Sequence, residues 1–138
     1  GGAIRQEQLL WLKQELLDAR SMSEQVIVLT HVPVLPQAAV AGALLWNYDE
    51  VLGAFREVGQ GIVALVLAGH FHSGGYGFDS ESGTYHVTLP SPLHADEQDP
   101  RAHCTVAVWN DYIEILGQGL VPSRQLRLKR RASRNSMS

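Results

Sequence analysis

Residues 62–72 read IVALVLAGHFH, an apolar run that ends in two histidines, His70 and His72. The segment Ile62–Leu67 is apolar on both alternating faces, which is typical of a strand buried in the centre of a sheet. If the chain stays extended beyond this strand, alternate side chains leave the same face, so we expect both imidazoles to point to one place. Gly69 lets the backbone turn or approach a ligand closely. The stretch predicts a buried strand that carries two imidazoles at its carboxyl end.

A second predicted strand also ends at a histidine. Val26–Leu29 is a short run of mostly β-branched residues and predicts another buried central strand. His31 follows it, and Pro33 cannot continue a strand ladder, so His31 lies at the carboxyl end. In layered α/β proteins, ligands collect outside the carboxyl ends of strands. We therefore expect the histidines of both strands to face one site.

Two helices are predicted around these strands. Residues Gln6–Ala19 have leucines at helical spacing. A second helix starts after Asn47, which has Glu50 three residues later, as in a capping box, and it ends at Gly59. The predicted apolar faces are Leu9, Leu10, Leu12, Leu16 and Leu17 in the first helix, and Val51, Leu52, Phe55 and Val58 in the second. The alternation of helix and strand predicts an α/β fold.

The second half of the chain is richer in turns. Residues 76–89 predict one hairpin around a polar turn, and residues 105–116 predict another around Asn110-Asp111. A polar loop is predicted between them. We expect residues 1–128 to form one folded unit and residues 129–138 to be a basic, disordered tail.

Composition limits the class of protein. The chain has 138 residues, 45% of them hydrophobic, which is enough for one core and too few for two domains. No apolar run approaches the ~20 residues of a membrane span, so we expect a soluble protein with no membrane partner. The single cysteine, Cys104, excludes an internal disulfide and suits a reducing compartment. With no secretory leader visible, the cytoplasm is the expected location.

Charge is unevenly distributed. Residues 1–119 carry all 14 acidic groups and 5 basic groups, and residues 120–138 carry 6 basic groups and no acidic one. A basic tail can contact nucleic acid or anionic lipid, but no aromatic residue interleaves with these cations. Because the body of the chain is acidic, nucleic acid is not expected as a partner.

His31, His70 and His72 together predict a metal site. Neutral imidazole is a good ligand for Mn, Fe or Zn. An isolated His-x-His pair is more often a surface or hydrogen-bonded pair, but two strand-terminal histidine motifs separated by one helix are hard to explain as packing. The other histidines are expected to be structural within a strand, His86, or solvated in or beside the polar loop, His94 and His103.

These motifs resemble those of a known family. Thr30-His31-Val32-Pro33 and Gly69-His70-Phe71-His72 resemble the last two metal-binding motifs of the calcineurin-like metallophosphoesterases. Within that family, the segments of residues 45–48, 68–76, 85–87 and 117–122 resemble the branch of manganese-dependent ADP-ribose/CDP-alcohol diphosphatases. The similarity extends from residue 1 to about residue 129. The chain is therefore identified as similar to the C-terminal half of such a domain.

The resemblance implies a fold and a chemistry. The family fold is a four-layer α/β/β/α sandwich with two divalent metal ions at its strand ends, most often Mn²⁺, although other divalent ions are possible. By position, His31 and His70 would bind one ion and His72 the other. The ions would activate a water that attacks phosphorus. The implied substrate is a nucleoside diphosphate-linked small molecule, such as ADP-ribose or a CDP-alcohol, split at its diphosphate bond.

Several matched residues are candidates for substrate contact, and each has a structural alternative. Asn47 either contacts substrate or caps its helix, and Tyr48 either stacks on a base or anchors the loop. Gly74 and Gly75, followed by Tyr76, either cradle phosphate through backbone N–H groups or form a tight turn into the hairpin.

The family's earlier motifs, D-x-H, G-D-x-x-D and G-N-H, do not occur in the chain. Three neutral imidazoles lack the anionic bridge that holds two cations together against their repulsion. We therefore expect this chain alone to be inactive and to need the missing N-terminal half of the domain. Two alternatives stay open: a complete mononuclear three-histidine hydrolase, and a truncated, non-catalytic isoform that binds a partner through unpaired sheet edges.

Overall fold

Two helices cover one face of a sheet, as the apolar periodicity predicts. The computed structural model describes residues 2–129, and its helices are α1 (Gln6–Ser21) and α2 (Tyr48–Val58). The predicted apolar face of α2 is buried throughout. That of α1 is narrower than predicted, because Leu10 and Leu17 are 59% and 41% exposed.

The helices pack on a four-stranded sheet. Its strands are β1 (Val26–Leu29), β2 (Val63–Ala68), β3 (Gly75–Asp79) and β4 (Thr84–Thr88). They are arranged in the order β1-β2-β4-β3, with β1, β2 and β4 parallel and β3 antiparallel to β4. Helix α2 provides the crossover that the parallel pair β1 and β2 requires. The predicted first hairpin is confirmed as β3 and β4.

Strand β1 lies at an edge of this sheet, so its prediction as a central strand is wrong. Among residues 2–129 it pairs with β2 alone. Its first three residues are half-buried, and Leu29 is 75% exposed. One side of β1 therefore presents backbone N–H and C=O groups that no described strand pairs.

A second, three-stranded sheet forms from the C-terminal part of the chain. Its strands are β5 (Ala102–Val108), β6 (Tyr112–Gly119) and β7 (Arg124–Arg127), antiparallel in that order. The predicted hairpin of residues 105–116 is confirmed: the N–H of Trp109 donates to the carbonyl of Tyr112 across the turn at 2.9 Å. Strand β7 was not predicted.

The two sheets and the helices form three layers. One cluster of buried side chains lies between the helices and the first sheet and includes Phe55 and Val66. The other lies between the two sheets and includes Leu65, Ile113 and Leu126. Strand β2 contributes Val63 and Val66 to the first cluster and Ala64 and Leu65 to the second, which is why it is apolar on both faces. The α/β class is confirmed, and the described residues contribute a helix layer and two sheets to the sandwich.

A buried ion pair fixes the β3–β4 hairpin to α2. The guanidinium of Arg56 donates two hydrogen bonds to the carboxylate of Asp79, both 3.0 Å long. Asp79 is only 6% exposed and also accepts from the hydroxyl of Ser82 at 2.6 Å. Burial alone would raise the pKa of Asp79, but these hydrogen bonds lower it below its usual value.

The remaining general predictions concern the membrane, the thiol and the tail. No helix of the described part of the chain is long and apolar enough to cross a bilayer. Cys104 is a half-buried free thiol on β5, and burial raises its pKa. The predicted disordered tail lies outside the described residues, apart from Lys129.

Candidate metal centre

The carboxyl ends of β1 and β2 bring His31 and His70 together. The parallel ladder continues past both strands, since the N–H of Thr30 donates to the carbonyl of Leu67 and that of Gly69 to His31, each at 3.0 Å. The two imidazole ring centres are 5.2 Å apart, with their planes at 68°. This agrees with the prediction that the two strand ends face one site.

The segment after β2 is not extended, so the predicted reason for the histidine arrangement is wrong. His70 has φ 62°, in the left-handed region that non-glycine residues enter at a cost of about 1 kcal/mol. The N–H of Phe71 donates to the carbonyl of Gly69 at 2.7 Å, which closes a tight turn around His70. This turn places the imidazole of His70 beside that of His31. The imidazoles of His70 and His72 therefore do not leave one face of an extended segment, as the sequence had predicted.

His72 has a different neighbour. Its ring centre lies 5.5 Å from that of His94, with the planes at 90°. His94 ends a short 3-10 turn, Pro92–His94, that follows β4. It is exposed, as the prediction of a solvated residue requires, but its proximity to His72 was not predicted. His103 lies on β5, in the second sheet, and is also exposed.

The histidines form two pairs rather than one cluster. All four imidazoles are exposed, so solvent ions can reach their nitrogens. Within residues 2–129, no three or more His, Cys, Asp or Glu side chains are grouped closely enough to hold one metal ion. The donor set fits divalent first-row metals, but it supplies only part of a coordination shell for each ion. The pairing also disfavours a single ion held by His31, His70 and His72 together.

Gly74 lies in the turn that leads from His72 into β3, and Gly75 is the first residue of that strand. Gly74 has φ 72°, and a Cβ there would lie 3.0 Å from the carbonyl oxygen of Thr88. A Cβ on Gly75 would overlap the carbonyl of Ala38, in the loop that follows β1. Close backbone packing therefore requires glycine at both positions, as the tight-turn alternative predicts.

Tyr76 faces the second sheet at the start of β3. The guanidinium of Arg124, on β7, lies 4.1 Å from the centre of the Tyr76 ring. Arg124 also lines a cavity of about 220 Å³ beside the Gly74-Gly75 turn. Arg124 was not predicted as a site residue, because its contact with Tyr76 joins two sheets and no local sequence pattern indicates it.

Asn47 and Tyr48 are used mainly in packing. The Asn47 amide accepts from the N–H of Ile4 at 3.1 Å and donates to the carbonyl of Ile4 at 3.0 Å. It also donates to the carboxylate of Glu50 at 2.8 Å. The Asn47 side chain does not cap the backbone of α2, so the predicted capping box is not formed. Tyr48 packs against the helical core, whereas Trp46 is 77% exposed.

His86 occupies a structural position, as predicted. It lies on β4, is 2% exposed, and contacts the ring of Phe55. Burial lowers its pKa to about 4, so the imidazole is neutral at pH 7. Neither ring nitrogen has a hydrogen-bond partner among the described residues.

Known proteins resemble this chain along nearly all of its length. The chain is similar to the manganese-dependent ADP-ribose/CDP-alcohol diphosphatases of Mus musculus (36% identity over 129 residues) and Homo sapiens (35%), each over 94% of this chain. That of Arabidopsis thaliana is 41% identical over 92 residues, which are 67% of this chain and 29% of that protein. The chain spans about a third of the length of the mouse and human relatives, 37% and 36%. No family model matches it.

The fold has a solved counterpart. A dimetal phosphatase from Danio rerio superposes with a TM-score of 0.85 and 31% sequence identity, over 91% of this chain and 39% of that one. Sequence and fold thus agree along nearly all of the chain. The chain belongs to the metallophosphoesterase family, as a part of the domain similar to the manganese-dependent ADP-ribose/CDP-alcohol diphosphatases.

Proposed function

We propose that the chain is the histidine-bearing part of a phosphohydrolase that splits the diphosphate bond of nucleoside diphosphate-linked compounds, such as ADP-ribose and CDP-alcohols. The observation that carries the proposal is the pair of imidazoles at the carboxyl ends of β1 and β2, in a fold that superposes on a dimetal phosphatase. The curated relatives are named for dependence on manganese and for these substrates.

In this proposal His31 and His70 hold one Mn²⁺ and His72 belongs to the shell of a second. When bound, two such ions neutralise charge on a transferring phosphoryl group and lower the pKa of an attacking water. The protein's own contribution is to fix the imidazoles: the β1–β2 ladder holds His31, and the left-handed turn aims His70. Gly74 and Gly75 let the backbone beside His72 pack closely against Thr88 and Ala38, and a contact of this segment with phosphate stays a prediction.

Substrate contact is proposed for the segment around these glycines and for the loop before α2. Tyr76 offers an aromatic face, although the Arg124 guanidinium covers part of it. Tyr48 and Asn47 stay predicted substrate residues. Their contacts with the core and with Ile4 favour a role in holding the loop in place.

The chain needs a second part of the domain for activity. Two neutral imidazoles on an ion leave most of its shell empty, and carboxylates are what hold two divalent cations close together. The unpaired side of β1 is where the missing N-terminal half would join. An apolar groove at that edge is lined by Trp11, Val28 and Leu29 among others. The same open edge supports the second candidate, a non-catalytic chain that binds a partner by strand addition.

Complementation tests the proposal. The purified 138-residue chain is mixed with the separately expressed N-terminal part of the human relative. ADP-ribose is added as substrate together with Mn²⁺, and the release of AMP is followed by chromatography. We expect no release from the chain alone and release from the mixture. His70→Ala should abolish it, whereas the exposed control His103→Ala should not.

The outcomes separate the alternatives. Hydrolysis by the chain alone would show that the second part is not needed, and one bound zinc per chain would then favour the mononuclear enzyme. Binding of the N-terminal part without hydrolysis would favour the non-catalytic binding chain.

A further inference from the structure

His94 is a fourth exposed imidazole beside the candidate metal centre. Its ring centre is 5.5 Å from that of His72, and the His31–His70 pair has nearly the same spacing, 5.2 Å. Two imidazoles that bind one ion through nitrogens ~2.1 Å from it have ring centres about 5 Å apart. Both pairs therefore have the spacing of two ligands on one ion.

The backbone holds His94 at this distance. The N–H of Ser91 donates to the carbonyl of His72 itself, at 2.9 Å. The hydroxyl of Ser91 then accepts from the N–H of Leu93 at 3.2 Å, which caps the 3-10 turn Pro92–His94. The turn that carries His94 is thus attached directly to the residue whose ring it faces.

The imidazole of His94 is exposed, although the backbone of its turn is held in place. Among residues 2–129, its one side-chain partner is the ring of His72, with no hydrogen bond or carboxylate engaging it. Its exposure leaves the ring nitrogens open to a solvent ion. A T-shaped contact between two exposed imidazoles provides little stability by itself, because water competes for both rings.

We propose that His94 is a ligand of the same ion as His72, so that this chain supplies two imidazoles to each of two ions. This rests on the proposed function, since it takes two ions at these strand ends. A second nitrogen raises affinity without adding charge. It also biases the ion at His72 toward metals that prefer imidazole, such as Zn²⁺ or Co²⁺, relative to Mn²⁺.

A zinc titration tests the proposal on the full chain. Zn²⁺ is diamagnetic, so it shifts mainly the NMR signals of the imidazoles that it contacts. In the wild type, the ring signals of His31, His70, His72 and His94 should shift at lower Zn²⁺ than that of His103. In His94→Ala, the Zn²⁺ concentration that half-shifts the His72 signal should rise about tenfold or more.

Two controls make the result specific. His103→Ala, another exposed histidine, should leave the His72 midpoint unchanged, and His94→Ala should leave the His31 and His70 midpoints unchanged. In His72→Ala, the His94 signal should in turn need about tenfold more Zn²⁺ to reach half of its shift. Amide spectra matching the wild type would confirm that each variant is folded.

Failure of this proposal is distinct from failure of the proposed function. An unchanged His72 midpoint in His94→Ala would make His94 a bystander and overturn the inference, while the other histidines still bind. Absence of selective shifts at His31, His70 and His72 in the wild type would overturn the proposed function as well.

Discussion

Replacing Asp79 with asparagine should destabilise the β3–β4 hairpin far more than replacing its neighbour Glu81 with glutamine. Both carboxylates contact Arg56, but Asp79 is 6% exposed and Glu81 is 70% exposed. Asp79 accepts two hydrogen bonds from Arg56 and one from Ser82. Because Asp79 and Glu81 share the same arginine partner, the two variants differ mainly in the burial and hydrogen-bond geometry of the carboxylate that is removed.

The expected magnitudes follow from these contacts. A hydrogen bond to a charged group contributes about 1.5–3 kcal/mol, and removing one partner of a fully buried pair costs about 3–5 kcal/mol. Because Arg56 is 36% exposed, water can replace part of what is lost, and we expect about 2–3 kcal/mol for Asp79→Asn. The exposed contact of Glu81 with Arg56, 3.3 Å long, should contribute less than about 0.5 kcal/mol.

Urea unfolding followed by tryptophan fluorescence measures both values. The pKa of Asp79 is lowered in the folded state, so its stabilisation is present above the unfolded pKa of ~3.9 and is lost as pH falls through the folded value. The difference between wild type and Asp79→Asn should therefore be full at pH 7 and shrink in strong acid. Equal costs for the two variants, or a difference that does not shrink in acid, would refute the assignment of stability to this pair.

Three further results are expected. Burial lowers the pKa of His86 to about 4, below the unfolded value of ~6.5. Because the unfolded chain takes up the proton first, the free energy of unfolding should fall as the pH is lowered from about 6.5 to 4. Urea unfolding at several pH values should show a smaller decrease in His86→Leu. Gly75→Ala should cost more than about 2 kcal/mol in thermal unfolding, because its Cβ meets a backbone carbonyl, whereas Gly53→Ala, in the interior of α2 with open space around it, should stabilise by about 0.5–1 kcal/mol. Leu29→Lys should reduce self-association in sedimentation velocity, since Leu29 lies on the unpaired β1 edge, and Leu93→Lys, at a position of similar exposure away from that edge, should have little effect.

Local patterns in the sequence predict most elements of this fold. The helices, β2 and both hairpins follow from apolar periodicity and turn residues, and each lies within a few residues of its predicted bounds. These signals are local, because a helix stripe or a strand alternation is complete within about ten residues.

The errors concern features that depend on distant partners. Val26–Leu29 has the composition of a central strand, yet it lies at the edge of the described sheet. An edge strand can have the apolar composition of a central strand when a strand from outside this chain pairs with it. The sequence of this chain does not contain that strand. Strand β7 was missed since its alternation of arginine, glutamine and leucine has only one strongly apolar position, Leu126.

The sequence indicates which residues are candidate metal ligands, but it does not predict how their side chains are arranged. His31, His70 and His72 stand out because each follows a strand. The left-handed turn at His70 has no sequence signature, since non-glycine residues adopt that conformation only when the surrounding structure imposes it. His94 is 22 residues beyond His72 in a polar loop, and no sequence pattern predicts that the fold brings their rings together.

If His70 binds metal as proposed, the requirements of folding and of metal binding oppose each other at this position. A glycine there would adopt φ 62° without penalty and would make the chain more stable by about 1 kcal/mol, while removing an imidazole from the pair with His31. Selection for stability alone would therefore replace this histidine. Under the proposed function, a homologous chain with glycine at position 70 would be one in which the requirement for metal binding has been relaxed.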